Sequence, residues 1–113
     1  MEVKKILGQA APSATTETDL YTVPDLKAAV VSSIVVCNRS TSATFRVSVA
    51  YGGGATGNKD YLYYDLTIAA NETFIATIGI TLSNADKVKV YASSANLSFN
   101  LFGAEFDQTN VYT

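Results

Sequence analysis

Apolar and polar residues alternate along most of this chain with a period of two, which is typical of β-strands that bury one face. The alternation is clearest in TFRVSVAY, YLYYDLTI, KVKVYA and NLSFNLF. It assigns these residues to the buried faces: Phe45, Val47, Val49 and Tyr51; Leu62, Tyr64, Leu66 and Ile68; Val88, Val90 and Ala92; Leu97, Phe99 and Leu101. The pattern predicts antiparallel strands with one face on a core and the other in solvent.

Two segments depart from simple alternation. Residues 29–38, AVVSSIVVCN, are apolar on both faces, which predicts a central strand covered on both sides or a strand whose outer face meets a partner. A strict period of two assigns Val31, Val35 and Cys37 to one face, and Val30, Ile34 and Val36 to the other. The second set therefore contains candidates for a protein contact.

The segment TFIATIGI places Phe74, Ile78 and Ile80 on one face and Ile75 on the other. Gly79 within this segment indicates a β-bulge or a close neighbour, because glycine weakens a regular strand.

Turn-forming clusters separate about seven or eight such strands, and no amphipathic helix longer than a turn or two is present. The sequence has no internal repeat and no linker. We therefore predict one domain over residues 1–113: an all-β, antiparallel sandwich of jelly-roll type with about eight strands. Residues 8–18 are small and polar, and this composition predicts an extended arm or loop. Residues 107–113 predict a short tail whose Val111 and Tyr112 could contact another chain.

Composition narrows the classes of function. Charged residues make up 16% of the chain, below the usual quarter, and such a surface suits contact with partners. The net charge of −2 offers no basic field for a nucleic acid, and no apolar run is long enough to span a membrane. The single cysteine, Cys37, and the lack of a signal-like N-terminal run predict synthesis and folding in a reducing cytoplasm.

Residues 52–60, GGGATGNKD, resemble a phosphate-binding loop of the pattern G-x-x-x-x-G-K-[ST]. Asn58 stands where that pattern requires lysine, and Asp60 replaces the hydroxyl residue that binds Mg²⁺. A phosphate-binding loop must also open a helix, whereas DYLYYDLTI has the pattern of a strand. The segment is therefore predicted to be a hairpin loop between two strands.

No constellation for catalysis is visible. The chain has no histidine, which removes the commonest general base and the histidine-containing metal sites. Cys37 has no histidine partner and is predicted to be a packed thiol, while Asp60 and Asp65 point to opposite faces of an ideal strand. We therefore predict no enzymatic activity, no cofactor and no metal site.

Tyr61 and Tyr63 are predicted to lie together on the solvent face of their strand, beside Lys59, Asp60 and Asp65. Two interpretations are open. The rings could pair across strands as ordinary surface residues, or they could form a contact surface for a protein or a carbohydrate, since tyrosine is enriched at interfaces.

A series of short motifs resembles a group of small virion structural proteins of tailed bacteriophages. The motifs are YTVP at residues 21–24, VCNRS at 36–40, FRV at 45–47, YLYYD at 61–65 and NETFI at 71–75, followed by the ending YASSANLSFNLFGAEF. The resemblance covers residues 5–106. One departure is the turn at Asp25-Leu26-Lys27, where such sequences commonly have Ala-Gly-Lys.

The resemblance implies a virion protein that works by binding. Its most direct interpretation is a capsid decoration, or cement, protein on the outer surface of the head, assembled in the host cytoplasm. The alternative is a tail, neck or baseplate component, including one that contacts the host. The expected partners are the major capsid protein or another virion protein and further copies of this chain, as a trimer or dimer.

Overall fold

The structure is a computed structural model that describes residues 2–108. Within this range the chain forms nine β-strands: β1 Glu2–Ala10, β2 Thr18–Thr22, β3 Lys27–Asn38, β4 Ala43–Ala50, β5 Tyr61–Ile68, β6 Thr73–Ala76, β7 Ile80–Leu82, β8 Lys87–Ala92 and β9 Leu97–Asp107. The helical content of these residues is two short 3₁₀ turns, Tyr51–Gly53 and Asn58–Asp60. No helix in the described part of the chain is long and apolar enough to cross a membrane.

The strands form two antiparallel sheets. One contains five strands in the order β1-β9-β3-β6, with β7 also paired to β3, and the other contains four strands in the order β2-β8-β4-β5. Their inner faces enclose one hydrophobic core. The predicted all-β sandwich is confirmed.

The strand order supports the jelly-roll interpretation. β6 and β7 both lie along β3 and can be counted as one interrupted strand, which leaves eight strands in two four-stranded sheets. Most connections then cross from one sheet to the other, as expected when two Greek keys are folded into a double sheet.

The core is centred on aromatic residues from both sheets. The ring of Phe45 lies 5.3 Å from that of Phe74 and 6.1 Å from that of Phe99, and Tyr63 closes the group at 5.2 Å from Phe74. Such tilted and edge-to-face pairs add to the stabilisation that burial provides. The alternation in β4, β8 and β9 correctly predicted the buried Phe45, Val88 and Phe99.

The predicted faces of residues 29–38 are wrong. β3 carries an extra residue at Ser32, where the pairing with β9 shifts between Val31 and Ser33. A bulge of one residue reverses which side chains point inwards. Ile34 and Val36 therefore join Val31 in the core, while Val30, Val35 and Cys37 are only partly buried.

The predicted buried face of residues 61–68 is wrong except at Ile68, which is buried as predicted. Two register shifts interrupt the pairing of β5 with β4, and Asp65 has a positive φ of 50°, which is typical of a bulge residue. Tyr63 consequently packs against the core, whereas Tyr64 is 58% exposed. Tyr51, predicted to share a face with Phe45, lies instead in the exposed turn after β4.

The segment 73–80 follows its prediction more closely. Phe74, Ile78 and Ile80 pack against the core and Ile75 is exposed. Gly79 lies in the gap between β6 and β7, and a side chain placed there would meet nothing within 4 Å. It therefore marks an interruption of the edge strand and has no close neighbour.

The polar segments at the two ends are shorter than predicted. Residues 8–10 belong to β1 and Thr18 begins β2, so the loop between these strands is residues 11–17. At the other end Asp107 is the last residue of β9 and accepts a hydrogen bond from Lys27 at 2.5 Å. Val111 and Tyr112 lie outside the described residues.

The turn before β3, at Asp25-Leu26-Lys27, closes without a glycine. The Lys27 N–H donates to the Pro24 carbonyl at 3.2 Å, and Leu26 takes a φ of 60°. This left-handed conformation is the one that glycine adopts without steric cost. The leucine thus keeps the turn at the expense of local strain, and its side chain is exposed.

Candidate interaction surfaces

The glycine-rich loop is built as a turn. The Asp60 carboxylate accepts a hydrogen bond from the Gly57 N–H at 2.8 Å, and this bond holds the pKa of Asp60 below its usual value. The Gly52 N–H donates to Asp86 at 2.7 Å. The loop leads directly into β5. Two of the loop's amide groups are therefore bonded to carboxylates, and a β-strand instead of an anion-supporting helix follows.

No group of three or more histidine, cysteine, aspartate or glutamate side chains that could hold a metal ion occurs in residues 2–108. Cys37 is a free, partly buried thiol on β3. The features of the molecule that suggest function are instead two exposed surfaces, one on each sheet.

The first surface is the outer face of the five-stranded sheet, here called the apolar face. It consists of Ile6 on β1, Phe102 and Phe106 on β9, Val30 and Val35 on β3 and Ile75 on β6. Ile6 lies directly opposite Phe102, and Val35 lies opposite Ile75, so the side chains form cross-strand neighbours.

This apolar face is open to solvent. Ile6 is 51% exposed and Ile75 is 64% exposed, and no described segment of the chain covers them. Ile6, Val30, Phe102 and Phe106 line a shallow groove with a volume of about 570 Å³. Exposed apolar surfaces of this kind are candidate sites of interaction.

Some of the polar groups on the same face are hydrogen-bonded to each other or to the backbone. The Gln9 amide donates to Asn100 Oδ1 at 2.7 Å, and the Ser32 hydroxyl donates to the Phe102 carbonyl at 3.1 Å. Glu2 and Lys4, one of each charge, stand at the β1 edge opposite Phe106 and Ala104. The face therefore combines apolar side chains with one positive and one negative charge at the β1 edge.

The second surface, on the four-stranded sheet, is the tyrosine–arginine cluster of Arg46, Tyr61, Tyr64, Asp65 and Tyr91. The Arg46 guanidinium carbon lies 4.3 Å from the ring centre of Tyr64 and 4.3 Å from that of Tyr91. Tyr61 packs edge-on against Tyr64 with 4.8 Å between the ring centres. Both contacts with Arg46 are cation–π interactions.

Asp65 fixes the arginine between these rings. Arg46 Nε donates to Asp65 Oδ1 at 2.6 Å and Nη2 donates to Oδ2 at 3.3 Å, which is a two-point ion pair. The hydrogen bond to Asp65 raises the pKa of Arg46, so the guanidinium stays charged. Arginine and tyrosine held in one conformation lose little entropy on binding, and both residue types are enriched at energetically important interface positions.

A buried polar network joins the two sheets beneath the surface. The hydroxyl of buried Tyr21, on β2, donates to Glu105 Oε2 on β9 at 2.6 Å, and Lys5 Nζ on β1 lies 3.3 Å from Glu105 Oε1. The hydrogen bond from Tyr21 holds the pKa of Glu105 below its usual value, with Lys5 acting in the same direction. Burial, reinforced by the bond to Glu105, raises the pKa of Tyr21.

Replacing Tyr21 with phenylalanine should lower the free energy of unfolding at pH 7 by about 2 kcal/mol, because a buried carboxylate loses its donor. Since the folded pKa of Glu105 lies below its unfolded value, its contribution is present above the unfolded pKa and is lost as pH falls through the folded pKa. The difference between wild type and Tyr21→Phe should therefore shrink in acid.

Urea titrations at pH 7 and at about pH 3 would measure this difference, since ordinary glutamate titrates between these values. Tyr51→Phe is the matched control, because that side chain is almost fully exposed and should leave stability unchanged. An equal loss of stability at both pH values would show that Glu105 ionisation is not involved.

The sequence-predicted contact residues have different outcomes. Val30 lies on the apolar face and Tyr61 lies in the tyrosine–arginine cluster. Ile34, Val36 and Tyr63 face the core, so the face assigned to each of them is wrong. Val111 and Tyr112 lie outside the described residues, and their prediction as contact residues is untested.

Sequence reasoning missed most members of both surfaces. Ile6 was missed because VKKIL does not alternate, and Phe106 because β9 continues beyond the apolar run NLSFNLF. Phe102 follows Leu101 and Tyr64 follows Tyr63, so alternation cannot tell which residue of each pair points outwards. The pairing register of the strands is needed to decide. Arg46 and Tyr91 were detectable as polar-face residues of β4 and β8, but their contact requires knowledge that these strands are neighbours.

Comparisons with known proteins identify similar folds. No family model and no curated protein matches the sequence. A chain in the structure of infectious bursal disease virus, Gx strain, matches with a TM-score of 0.56 and 9% identity over 93% of this chain. That match spans only 32% of the viral chain, so this protein corresponds to about a third of it.

A second match is a chain in the acidic stable capsid structure of Helicobacter pylori bacteriophage KHP30. Its TM-score is 0.51 with 16% identity, and the match covers 96% of this chain and 94% of the phage chain. At these identities the likeness establishes a shared fold. Both of these structural neighbours are chains of virus structures, one of them a phage capsid structure.

Proposed function

We propose that this protein is a non-enzymatic structural component of a phage virion that binds the outer surface of the head and stabilises it, as a capsid decoration protein does. The observation that carries the proposal is the match with the phage capsid structure, which covers nearly the whole of both chains. A chain of that phage capsid structure thus carries the same fold over nearly its whole length.

The two exposed surfaces support a binding role. Each lies on the broad outer face of a sheet, so a rigid strand framework holds its side chains in place. The tyrosine–arginine cluster is the better candidate for contact with the capsid, because Asp65 holds the Arg46 guanidinium between two rings before any partner arrives. Tyr64, the most exposed ring of the packed pair, would enter the partner first.

We expect Tyr64→Ala to weaken binding to undecorated heads at least tenfold, because truncating a central aromatic residue of an interface commonly costs more than 1–2 kcal/mol, about a tenfold change in affinity. The measurement is the number of bound copies per head as protein is titrated, read by quantitative gel or mass spectrometry. Thr44→Ala, which changes a smaller side chain on β4, is the matched control.

The number of copies of this protein in each purified virion separates the proposal from its alternative. A decoration protein should be present in hundreds of copies per purified virion, whereas a tail, neck or baseplate component should be present in a few to dozens. A small count would reject the head location while leaving a virion role. Absence from purified virions would reject the proposed function entirely.

A further inference from the structure

We infer that the apolar face binds the same face of a second copy of this chain, so that two sandwiches pack back to back about a two-fold axis. This inference concerns the partner of the five-stranded sheet and does not depend on attachment to a virion. It accounts for the surface that the proposed capsid contact, on the opposite sheet, leaves uncovered.

The size of the face fits a stable dimer. β1 has nine residues, β9 eleven and β3 twelve, and β6 with β7 completes a fourth column along the sheet. At about 3.3 Å per residue and 4.8 Å between strands, nine residues on four columns project about 600 Å². Side chains make the accessible area larger than this projection, and standard interfaces bury about 800 Å² per partner.

The distribution of side chains suits contact with another sheet. Ile6, Phe102 and Phe106 surround the groove near one end, and Val35 with Ile75 continues the apolar surface near the other. Gln9 and Asn100, whose side chains are bonded to each other, lie in the same cross-strand row as Val35 and Ile75. This bond satisfies one donor and one acceptor of the pair, which lowers the cost of covering it.

The two opposite charges at the edge of the apolar face favour a second copy of this chain as its partner. Glu2 and Lys4 lie two residues apart on the same side of β1, opposite Phe106 and Ala104. Among the described residues neither has an ion pair. When a face meets itself about a two-fold axis, each contact occurs twice, so Lys4 of one copy can approach Glu2 of the other. A partner with a strong charge of either sign would be repelled by one of the two.

The packing geometry is also available. Two sheets stack face to face at about 10 Å with their strands turned by about 30°. Phe102 of one copy could then fill the groove beside Ile6 of the other. Because the contact is isologous it closes at two subunits, which favours the dimer over the trimer among the predicted assemblies.

Sedimentation velocity over a range of protein concentrations tests this inference. The wild type should change from monomer to dimer as concentration rises. The double variant Ile6→Lys/Ile75→Lys should raise the dimer dissociation constant at least tenfold with an unchanged circular dichroism spectrum, since both side chains are exposed in the monomer. The repulsion of four added charges across the interface opposes dimer formation.

Leu62→Lys/Tyr51→Lys is the matched control. It makes the same change in net charge at two exposed apolar residues outside the apolar face, and it should dimerise like the wild type. A wild type that stays monomeric at every concentration would overturn the inference, as would a dimer that only the control variant disrupts. Because no virion enters this experiment, dimerisation and head binding can fail independently.

Discussion

Replacing Val36 with lysine should leave the protein largely unfolded at 25 °C. Val36 is completely buried in the centre of β3, between β9 and β6, with Phe99 and Phe74 as its cross-strand neighbours. An uncompensated charge in such a site costs about 3–5 kcal/mol, and the packing of the valine is lost as well. This penalty is comparable with the whole stability of a small domain.

The neighbouring Val35 provides a matched control within the same strand. Its side chain lies on the outer face opposite Ile75, so Val35→Lys can extend the ammonium group into water and should fold. Near-ultraviolet circular dichroism and urea unfolding would separate the two variants. If Val36→Lys folded and Val35→Lys did not, the extra residue of β3 could not lie at Ser32.

This pair of residues shows how far the sequence alone could predict the fold. Alternation predicted β4, β8 and most of β9 because each is regular, and it predicted the sandwich because turn residues separate these strands at short intervals. It failed wherever a strand contains an extra residue. Nothing in AVVSSIVVCN states which serine is the bulge, since both faces are apolar and either register buries valines.

Predicting the two candidate surfaces likewise required the positions of the bulges and the pairing of the strands. Tyr61 was predicted to be a contact residue and does belong to the tyrosine–arginine cluster, but its predicted companion Tyr63 faces the core. The actual companion, Tyr64, is placed outwards by the bulge at Asp65. The apolar face combines residues about a hundred positions apart in the chain, such as Ile6 and Phe102, so only the pairing of β1 with β9 reveals it.

The pairing of β1 with β9 depends in turn on a glycine. Gly103 lies on β9 beside two bulges, one at Leu7 of β1 and one at Ser32 of β3. A side-chain carbon on Gly103 would collide with the Val30 carbonyl oxygen and would lie 3.0 Å from both Leu7 Cδ1 and Val31 Cα. Two of these three atoms belong to the backbone of a central strand, which cannot move without breaking its pairing with β9.

Gly103→Ala should therefore lower the free energy of unfolding by about 3 kcal/mol, the upper part of the range for overpacking a core. Gly79→Ala is the matched control, because its added carbon meets nothing within 4 Å and should leave stability almost unchanged. Urea unfolding monitored by tyrosine fluorescence would measure both variants.

Amide hydrogen exchange can distinguish strain around Gly103 from a general loss of stability. If Gly103→Ala loosens the contacts of β9 with both β1 and β3, amide hydrogen exchange should accelerate in β1 and β9 before it does in β4 and β8, which pair within the other sheet. Ile6 would then no longer be held opposite Phe102, and the apolar face would lose its shape along with its edge strand. Equal stability of the two alanine variants would mean that β3 can move away from Gly103, and the paired bulges would not be needed to hold the sheet.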